Sequence, residues 1–362
     1  MTVFDHPEFD QHETVQFIDE PESGLKAIIA IHSTALGPAA GGCRRWQYAS
    51  NRDALTDVLR LSRGMTYKNA VAGLPFGGGK SVIIADERAP KSPQLFRAFG
   101  RAIESLGGRY ITAEDVGIGM DDMRIVREET SYVSGLPQSG DSAGGDPSPW
   151  TALGVFLGIE AAARARLDAD SLDGLRIAVQ GVGNVGFHLC RLLADAGAKL
   201  TVADVSRENL NRIKKAASVD TASPAEILFS DVDIVAPCAL GNILTAQSIP
   251  RLKASVVAGA ANNQLSAEHD GKRLADRDIL YAPDYVINAG GVISVAREYL
   301  GQSSEDEVRE EVGRIPERLG RIFAASRKEG RPTNVIANEL ARDIVANAKK
   351  NPSKTPDNRR IA

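Results

Sequence analysis

The hydrophobic pattern reads as short apolar runs alternating with longer amphipathic stretches. In the first part of the chain, strands are predicted over residues 25–32 (LKAIIAIH), 82–86 and 109–113. Between them, Ala54, Leu55, Val58, Leu59 and Leu61 mark an amphipathic helix over 51–65 that continues past Lys68. Ser92-Pro93 opens a helix over 92–106, and a short polar helix follows at 121–130. The Gly/Ser/Pro-rich stretch 139–149 (SGDSAGGDPSP) reads as a hinge whose Ser148-Pro149 end caps an alanine-rich helix over 150–166.

Beyond that point the rhythm becomes regular. Apolar runs at 175–180, 199–203, 232–236, 256–258 and 279–282 each end in a turn-rich segment, the β-then-α order of a parallel sheet with ligands at the strand C-terminal ends. Helices are predicted over 185–196, 288–299, 306–329 and 332–349. At 362 residues the chain exceeds what a single core serves well. The fold class is therefore α/β with two domains, an N-terminal α/β domain over 1–140 and a doubly wound domain over 141–330, with a cleft between them and the last helix, about 331–362, returning to the first domain.

The strand at 175–180 runs straight into Gly181-Val182-Gly183-Asn184-Val185-Gly186 and a helix. Strand, G-x-G-x-x-G and helix stand in the order a dinucleotide site requires: glycines for the turn and the close pyrophosphate approach, a helix N-terminus for the phosphate charge. Asp204 ends the next strand eighteen residues beyond Gly186, where an acid holds the adenosine ribose hydroxyls and disfavours a 2′-phosphate, which points to NAD. The other reading is a glycine-rich strand-to-helix turn without a ligand. Asn262, Asn263 and Asn288 sit at later strand ends of the same region.

The second concentration of chemistry is GMTYKNAVAGLPFGGGKS, residues 64–81, which sets Lys68 and Lys80 on either side of a glycine-rich turn in apolar surroundings. Lost hydration and a neighbouring ammonium disfavour a lysine's charged form and make it a base, while the second lysine holds an anion. The plain alternative is a solvated helix lysine and a simple turn. A phosphate-binding loop fails on spacing, because G-x-x-x-x-G-K-[ST] needs a glycine where Leu74 stands. Upstream, Gly37-Pro38 and Gly41-Gly42 mark a tight turn with exposed amides suited to a carboxylate, and Asp115 follows the strand at 109–113, as turn residue or as functional acid.

Composition narrows the classes. With 43% hydrophobic and 25% charged residues and a formal net charge of −4, the chain offers no electrostatic case for nucleic acid or an acidic membrane, and Lys349, Lys350, Lys354, Arg359 and Arg360 read as a solvated basic end. Cys43, Cys190 and Cys238 are distant in sequence and outside any C-x-x-C spacing, which suits free thiols in a reducing cytoplasm. The histidines His6, His12, His32, His188 and His269 show no metal-ligand spacing, so no metal is expected and structural roles are. The acidic first thirty residues lack a signal-peptide core, and nothing approaches a membrane span.

Taken in order, GMTYKNAVAGLPFGGGKS, TAEDVG, VQGVGNVG, APCALG, AGAANNQL and YAPDYVINAGGVI resemble the glutamate/leucine/phenylalanine/valine dehydrogenase family over nearly the whole chain, closest to its hydrophobic amino acid branch. The resemblance implies NAD-dependent, reversible oxidative deamination of an L-amino acid to the 2-oxo acid and ammonia by a homo-oligomer. It implies that Lys68 binds the substrate carboxylate with the Gly41 and Gly42 amides, that Lys80 activates water, and that Asp115 carries protons to and from the nitrogen. Asn262 or Asn263 orients nicotinamide and substrate, Gly181, Gly183, Asn184, Val185, Gly186, Asp204 and Asn288 hold the cofactor, and Ala40, Leu74, Ala113, Val292 and Val295 line the side-chain pocket. Ala40 stands where leucine-specific members often carry a bulkier residue, which leaves phenylalanine, leucine and valine open as substrates. A dinucleotide-binding sensor without catalysis is the rival class, and intact Lys68, Lys80 and Asp115 argue against it.

Overall fold

The computed structural model of the chain describes residues 2–86, 90–136, 145–301 and 304–351. The chain divides into two compact units: Met1–Gly145 with Val295–Ser303 and Ala341–Ala362, and Asp146–Ser294 with Ser304–Leu340. Residues 139–144 of the expected hinge and the basic residues Lys354, Arg359 and Arg360 lie outside the described residues. The helices Gly290–Tyr299 and Thr333–Lys350 each run from one unit into the other.

The first unit is built on a mixed sheet of β1 (Thr14–Glu20), β2 (Leu25–Ser33), β3 (Ala39–Ala40), β4 (Cys43–Trp46), β5 (Gly77–Ile84) and β6 (Tyr110–Ile111), in the order β1-β2-β5-β3-β6 with β4 also on β5. β1, β2 and β5 pair antiparallel, whereas β3 and β4 run parallel to β5. Two-residue alternation gives the sheet two apolar faces. Ala27, Ile29, Ile31 and Ile83 pack in one cluster with Leu95, Phe96 and Phe99 of the helix Pro93–Glu104. Ile28, Ala30 and Val82 pack in another with Ala54, Val58 and Leu59 of the helix Asn51–Val71.

Two expectations are corrected here. The glycines 77–79 form no turn: they are the first half of β5, because a side chain on either face would collide with a neighbour. A Cβ at Gly78 would lie 2.0 Å from the Thr66 amide nitrogen, and one at Gly79 would lie 2.7 Å from the Tyr110 ring. Of the tight turn expected at Gly37-Pro38 and Gly41-Gly42, the first part is a turn, closed by Gly37 N–H to Thr34 O at 3.0 Å, but the second is a strand path: Ala40 lies opposite Gly78 and Cys43 opposite Ser81, so that Gly41-Gly42 runs beside Gly79-Lys80. β1 carries the alternation Val15, Phe17, Asp19 on an edge and went unread among the acidic residues of the N-terminal segment. His6, His12 and His32 serve structure, bonded to Thr56, to Ser62 and Leu59 O, and to Thr66 along one helix.

The second unit carries a wholly parallel sheet of β7 (Arg176–Gln180), β8 (Lys199–Ala203), β9 (Val219–Thr221), β10 (Ile234–Pro237), β11 (Val256–Val257) and β12 (Leu280–Tyr281), ordered β12-β11-β10-β7-β8-β9. The chain moves outward from β7 through β8 and β9, then crosses back to β10, so the C-terminal end of β7 is the switch point where such sheets bind ligands. The helix expected at 150–166 starts earlier, at Ser148, with Pro147 as its N-cap and the Ser148 N–H taken by Asp146 Oδ1 at 2.9 Å. The long helix expected at 306–329 is two, Glu305–Val312 and Ile315–Glu329. Pro316 has no N–H for the carbonyl of Val312 and its ring clashes there, which separates them.

The glycine-lined strand is testable through stability. Gly78→Ala is expected to lower stability by about 1–3 kcal/mol or more, because the backbone of the adjacent helix must move. Gly320→Ala, on an exposed helix position with nothing within 4 Å of a new Cβ, is expected to raise it by about 0.5–1 kcal/mol. Urea unfolding of both variants checks the pair, and an unchanged midpoint in Gly78→Ala would show that the contact yields at no cost.

Candidate active site

Alternation along β5 turns Gly78, Lys80 and Val82 toward the helix Asn51–Val71. Lys68 lies in the last turn of that helix and is half-buried. The turn before it touches the glycines: a Cβ at Gly41 would lie 3.1 Å from Met65 Cγ, and Thr66 abuts Gly78. Both lysines and the Gly41-Gly42 segment are thereby drawn to one end of one sheet. Asn69 ties the helix end to β5 through Nδ2 to Gly77 O at 2.6 Å.

Lys80 is 7% exposed, and its ammonium forms an ion pair with Asp115. Arg44 adds a second cation, with Nε 3.6 Å from Asp115 Oδ2. Burial pushes the Asp115 carboxyl upward, but Lys80, Arg44 and the Val116 N–H together prevail and hold it below the ordinary carboxylate range. Asp115 fits there because its loop packs on glycine: a Cβ at Gly42 would lie 3.0 Å from Asp115 Cβ and 2.5 Å from Glu114 O.

The amides of the glycine pair are not equivalent. Gly41 N–H donates to Ile111 O at 3.1 Å, so its expected part in holding a carboxylate is corrected. Gly42 N–H makes no backbone hydrogen bond among the described residues and remains the donor of the pair. Tyr110, whose phenol burial keeps protonated, donates to Gly41 O at 2.5 Å and meets Ser81 Oγ at 3.0 Å beneath the segment. Ala40, Leu74, Ala113 and Val295 belong to this unit; Val292 precedes Val295 by one helical turn and belongs to the second.

In the second unit the loop after β7 fits a dinucleotide pyrophosphate. Gly181 has φ 92°, and a Cβ at Gly186 would lie 2.0 Å from Gly181 O, so both positions demand glycine. A Cβ at Gly183 would meet nothing within 4 Å, and Gly183 caps the twelve-residue helix Asn184–Asp195 without any side chain, leaving the helix N-terminus open to an anion. Asn184 and Val185 form its first turn. Asp204 accepts Val182 N–H and Ser206 N–H, each at 2.8 Å, which sets the carboxylate beside the loop. Val205 and Leu240, 91% and 79% exposed, follow β8 and β10 on either side of β7.

The open choice between Asn262 and Asn263 is narrowed by hydrogen bonds. Asn288, 3% exposed, donates Nδ2 to Asn262 Oδ1 at 2.8 Å and to Ala260 O at 2.9 Å, so the Asn262 amide is oriented. Asn263 instead adopts φ 51° and its carbonyl accepts Asn242 N–H at 2.7 Å, a turn role. Gln264, fully buried, braces the same loop through Gly259 O and Ala261 O. Arg44, Tyr110, Asn69 and Gln264 escaped the sequence reading, although Arg44 stands only two residues beyond Gly42. Among the described residues no cluster of three or more His, Cys, Asp or Glu is arranged to hold a metal ion.

A parallel dinucleotide sheet in one unit, joined to a unit with a lysine–aspartate pair beside a free glycine amide, defines a two-domain α/β dehydrogenase. The chain belongs to the glutamate/leucine/phenylalanine/valine dehydrogenase family. Residues 12–132 match the "Glu/Leu/Phe/Val dehydrogenase, dimerisation domain" and residues 146–352 the "Glutamate/Leucine/Phenylalanine/Valine dehydrogenase" domain. The chain is 50% identical over 351 residues to a leucine dehydrogenase of Geobacillus stearothermophilus, covering 97% of this chain and 95% of that protein. It is 43% identical to a phenylalanine dehydrogenase of Bacillus thermotolerans, covering 97% and 92%. The crystal structure of L-tryptophan dehydrogenase from Nostoc punctiforme superposes with a TM-score of 0.82 at 47% identity, over 94% of this chain and 97% of that one.

The charge state of Asp115 gives a stability test. A carboxyl whose folded pKa lies below its unfolded value contributes stability that is present above the unfolded value, about 4, and is lost as pH falls through the folded one. Asp115→Asn is therefore expected to be less stable at pH 6, with the gap to the parent narrowing toward pH 3. Urea midpoints across that range check it, and a gap that stays constant would detach the carboxyl's titration from stability.

Proposed function

We propose that the protein is an NAD-dependent L-amino acid dehydrogenase that converts a hydrophobic amino acid reversibly to its 2-oxo acid and ammonia. The observation that carries the reading is the buried Lys80–Asp115 contact beside Gly42. The bound nicotinamide supplies the hydride acceptor for the substrate Cα–H. Lys68 and the Gly42 amide hold the substrate carboxylate, fixing Cα and its nitrogen against Lys80 and Asp115. Asp115 takes the proton that leaves the nitrogen as the imine forms. Lys80, in its amine form, removes a proton from the attacking water, Asp115 returns a proton to the nitrogen, and the Asp115 carboxylate then accepts the hydroxyl proton as the carbonyl forms and ammonia departs. Burial of the pair keeps other water away from the imine. Asn262, oriented by Asn288 in the second unit, positions the nicotinamide carboxamide.

The apolar character of Ala40, Leu74, Ala113 and Val295 in the first unit supports a branched aliphatic or aromatic substrate, since no cation among them could pair a second carboxylate. Ala40 and Ala113 leave room for a phenylalanine-sized side chain, and apolar walls discriminate by only about 1–3 kcal/mol per methylene, so related substrates are turned over at graded rates. The dimerisation description of the N-terminal match supports a homo-oligomer. A cytoplasmic location accords with three free cysteines, and no helix among the described residues is long and apolar enough to cross a membrane.

The reading is tested by following nicotinamide absorbance with NAD and leucine, valine, phenylalanine, tryptophan and glutamate. Apolar substrates are expected to lead, and a glutamate preference or no reduction with any of them would refute it. In the same assay Lys68→Ala should raise KM about tenfold or more with a smaller change in kcat, having lost a charged contact made throughout the cycle. Lys80→Ala and Asp115→Asn should lower kcat by about 10²–10⁴. Equal small effects in all three would return them to structural roles.

Cofactor choice is tested at Asp204. Its carboxylate accepts hydrogen bonds from ribose hydroxyls and repels a 2′-phosphate, so the parent should favour NAD over NADP in kcat/KM. Asp204→Asn is expected to shrink that preference about tenfold or more, and an unchanged ratio would move the selectivity elsewhere.

A further inference from the structure

Arg44 enters no step of the reaction described above, yet its guanidinium belongs to the same buried group of charges. It stands on β4 with Nε 3.6 Å from Asp115 Oδ2 and Nη1 3.0 Å from Asp57 Oδ2. Asp57, on the helix Asn51–Val71, also accepts the Tyr48 O–H at 2.6 Å. The line Tyr48–Asp57–Arg44–Asp115–Lys80 thus runs from side chains about one-quarter exposed, 25% for Arg44 and 27% for Asp57, to Lys80 at 8%.

The two cations on Asp115 differ in kind. An ammonium can give up its proton, whereas a guanidinium keeps its charge at any pH a protein meets. When Lys80 acts as a base, its hold on Asp115 weakens at that moment, and a buried carboxylate left without a cation is strongly disfavoured. Arg44 supplies the charge that does not change. At 3.6 Å the Arg44 Nε contact attracts without being a hydrogen bond, whereas Lys80 Nζ makes the close contact to the same oxygen, Asp115 Oδ2. Arg44 therefore attracts that oxygen by charge alone and leaves its hydrogen-bonding contact to Lys80. Asp115 Oδ1 is fixed separately by Val116 N–H at 2.7 Å.

We propose that Arg44 is a positioning residue for Asp115: anchored by Asp57 and Tyr48, it keeps the carboxylate ionised and aimed at Lys80 while that lysine gains and loses its proton. The inference rests on the reading of Lys80 as base and Asp115 as proton carrier. The titratable groups around Asp115 are Lys80 on β5, Arg44 and Cys43 on β4, Tyr110 on β6, and Asp57 and Tyr48 behind Arg44. Burial pushes the Cys43 thiol up to about 12 and both phenols upward, so these three stay neutral while Lys80 and Arg44 act on the carboxylate.

The test uses the full-length enzyme and its Arg44→Met, Arg44→Lys and Asp57→Asn variants. Infrared titration of the Asp115 carboxyl band, identified by subtraction of Asp115→Asn, is paired with kcat and KM for deamination against pH. In Arg44→Met the carboxyl should titrate at higher pH, kcat should fall about ten- to a hundredfold with KM within about threefold, and the acid limb of kcat should move up with the carboxyl. Arg44→Lys should retain most of the parent behaviour and Asp57→Asn should fall between, so the proposal remains testable if Arg44→Met does not fold. A carboxyl band unmoved in Arg44→Met, or in Asp57→Asn if the former is unfolded, overturns the proposal. A band that moves while the acid limb stays fixed supports Arg44's hold on the carboxylate and refutes Asp115 as proton carrier.

Discussion

A strand can carry a helix backbone on one face and an aromatic ring on the other, both at contact distance, only where it has no side chains. Gly77, Gly78 and Gly79 make β5 such a strand, with Ser33 O, the Thr66 amide and the Tyr110 ring occupying the volumes their Cβ atoms would need. The consequence reaches the next residue. Lys80 leaves a backbone pinned on both faces, so its position is determined by main-chain packing, with little left to the side chain's own rotamers. Lys68 is drawn to the same end because the helix turn before it supplies one of those packed surfaces.

A backbone packed this tightly lets charge be buried without loss of order. Lys80, Asp115, Arg44 and Asp57 alternate in sign along one line, so each charge faces an opposite one. Removing any member leaves its neighbours uncompensated, which costs more than the pair itself contributes. The arrangement is therefore better understood as holding the Lys80 side chain in a defined place than as a source of stability.

Much of this could be read from the sequence, and the limits have physical causes. The parallel sheet of the second unit was legible because buried parallel strands are continuous apolar runs bounded by turns, and the strand at 199–203 agrees with β8 to the residue. Glycines 77–79 were misread as a turn because a glycine needed for a positive φ and one needed for close packing look the same in sequence; only the neighbours, here Thr66 and Tyr110, tell them apart. Edge strand β1 was hidden by the acidic residues that alternate along it. Arg44 was missed because its partner Asp115 is seventy-one residues away in sequence, a contact that periodicity cannot express.

The dinucleotide unit solves its positioning problem differently, through hydrogen bonds where the first unit uses close packing. Asp204 holds the Val182 and Ser206 amides beside the loop, and Asn288 holds Asn262 from a buried position. Each of these two polar side chains is thus set by a second polar group or by backbone amides. Such bonds tolerate small rotations better than a methyl-sized steric contact does, because hydrogen-bond energy varies gently near its optimum while repulsion rises steeply. The loop of the second unit can therefore adjust as a ligand enters, while the Lys80–Asp115 pair of the first unit keeps the geometry its close packing fixes.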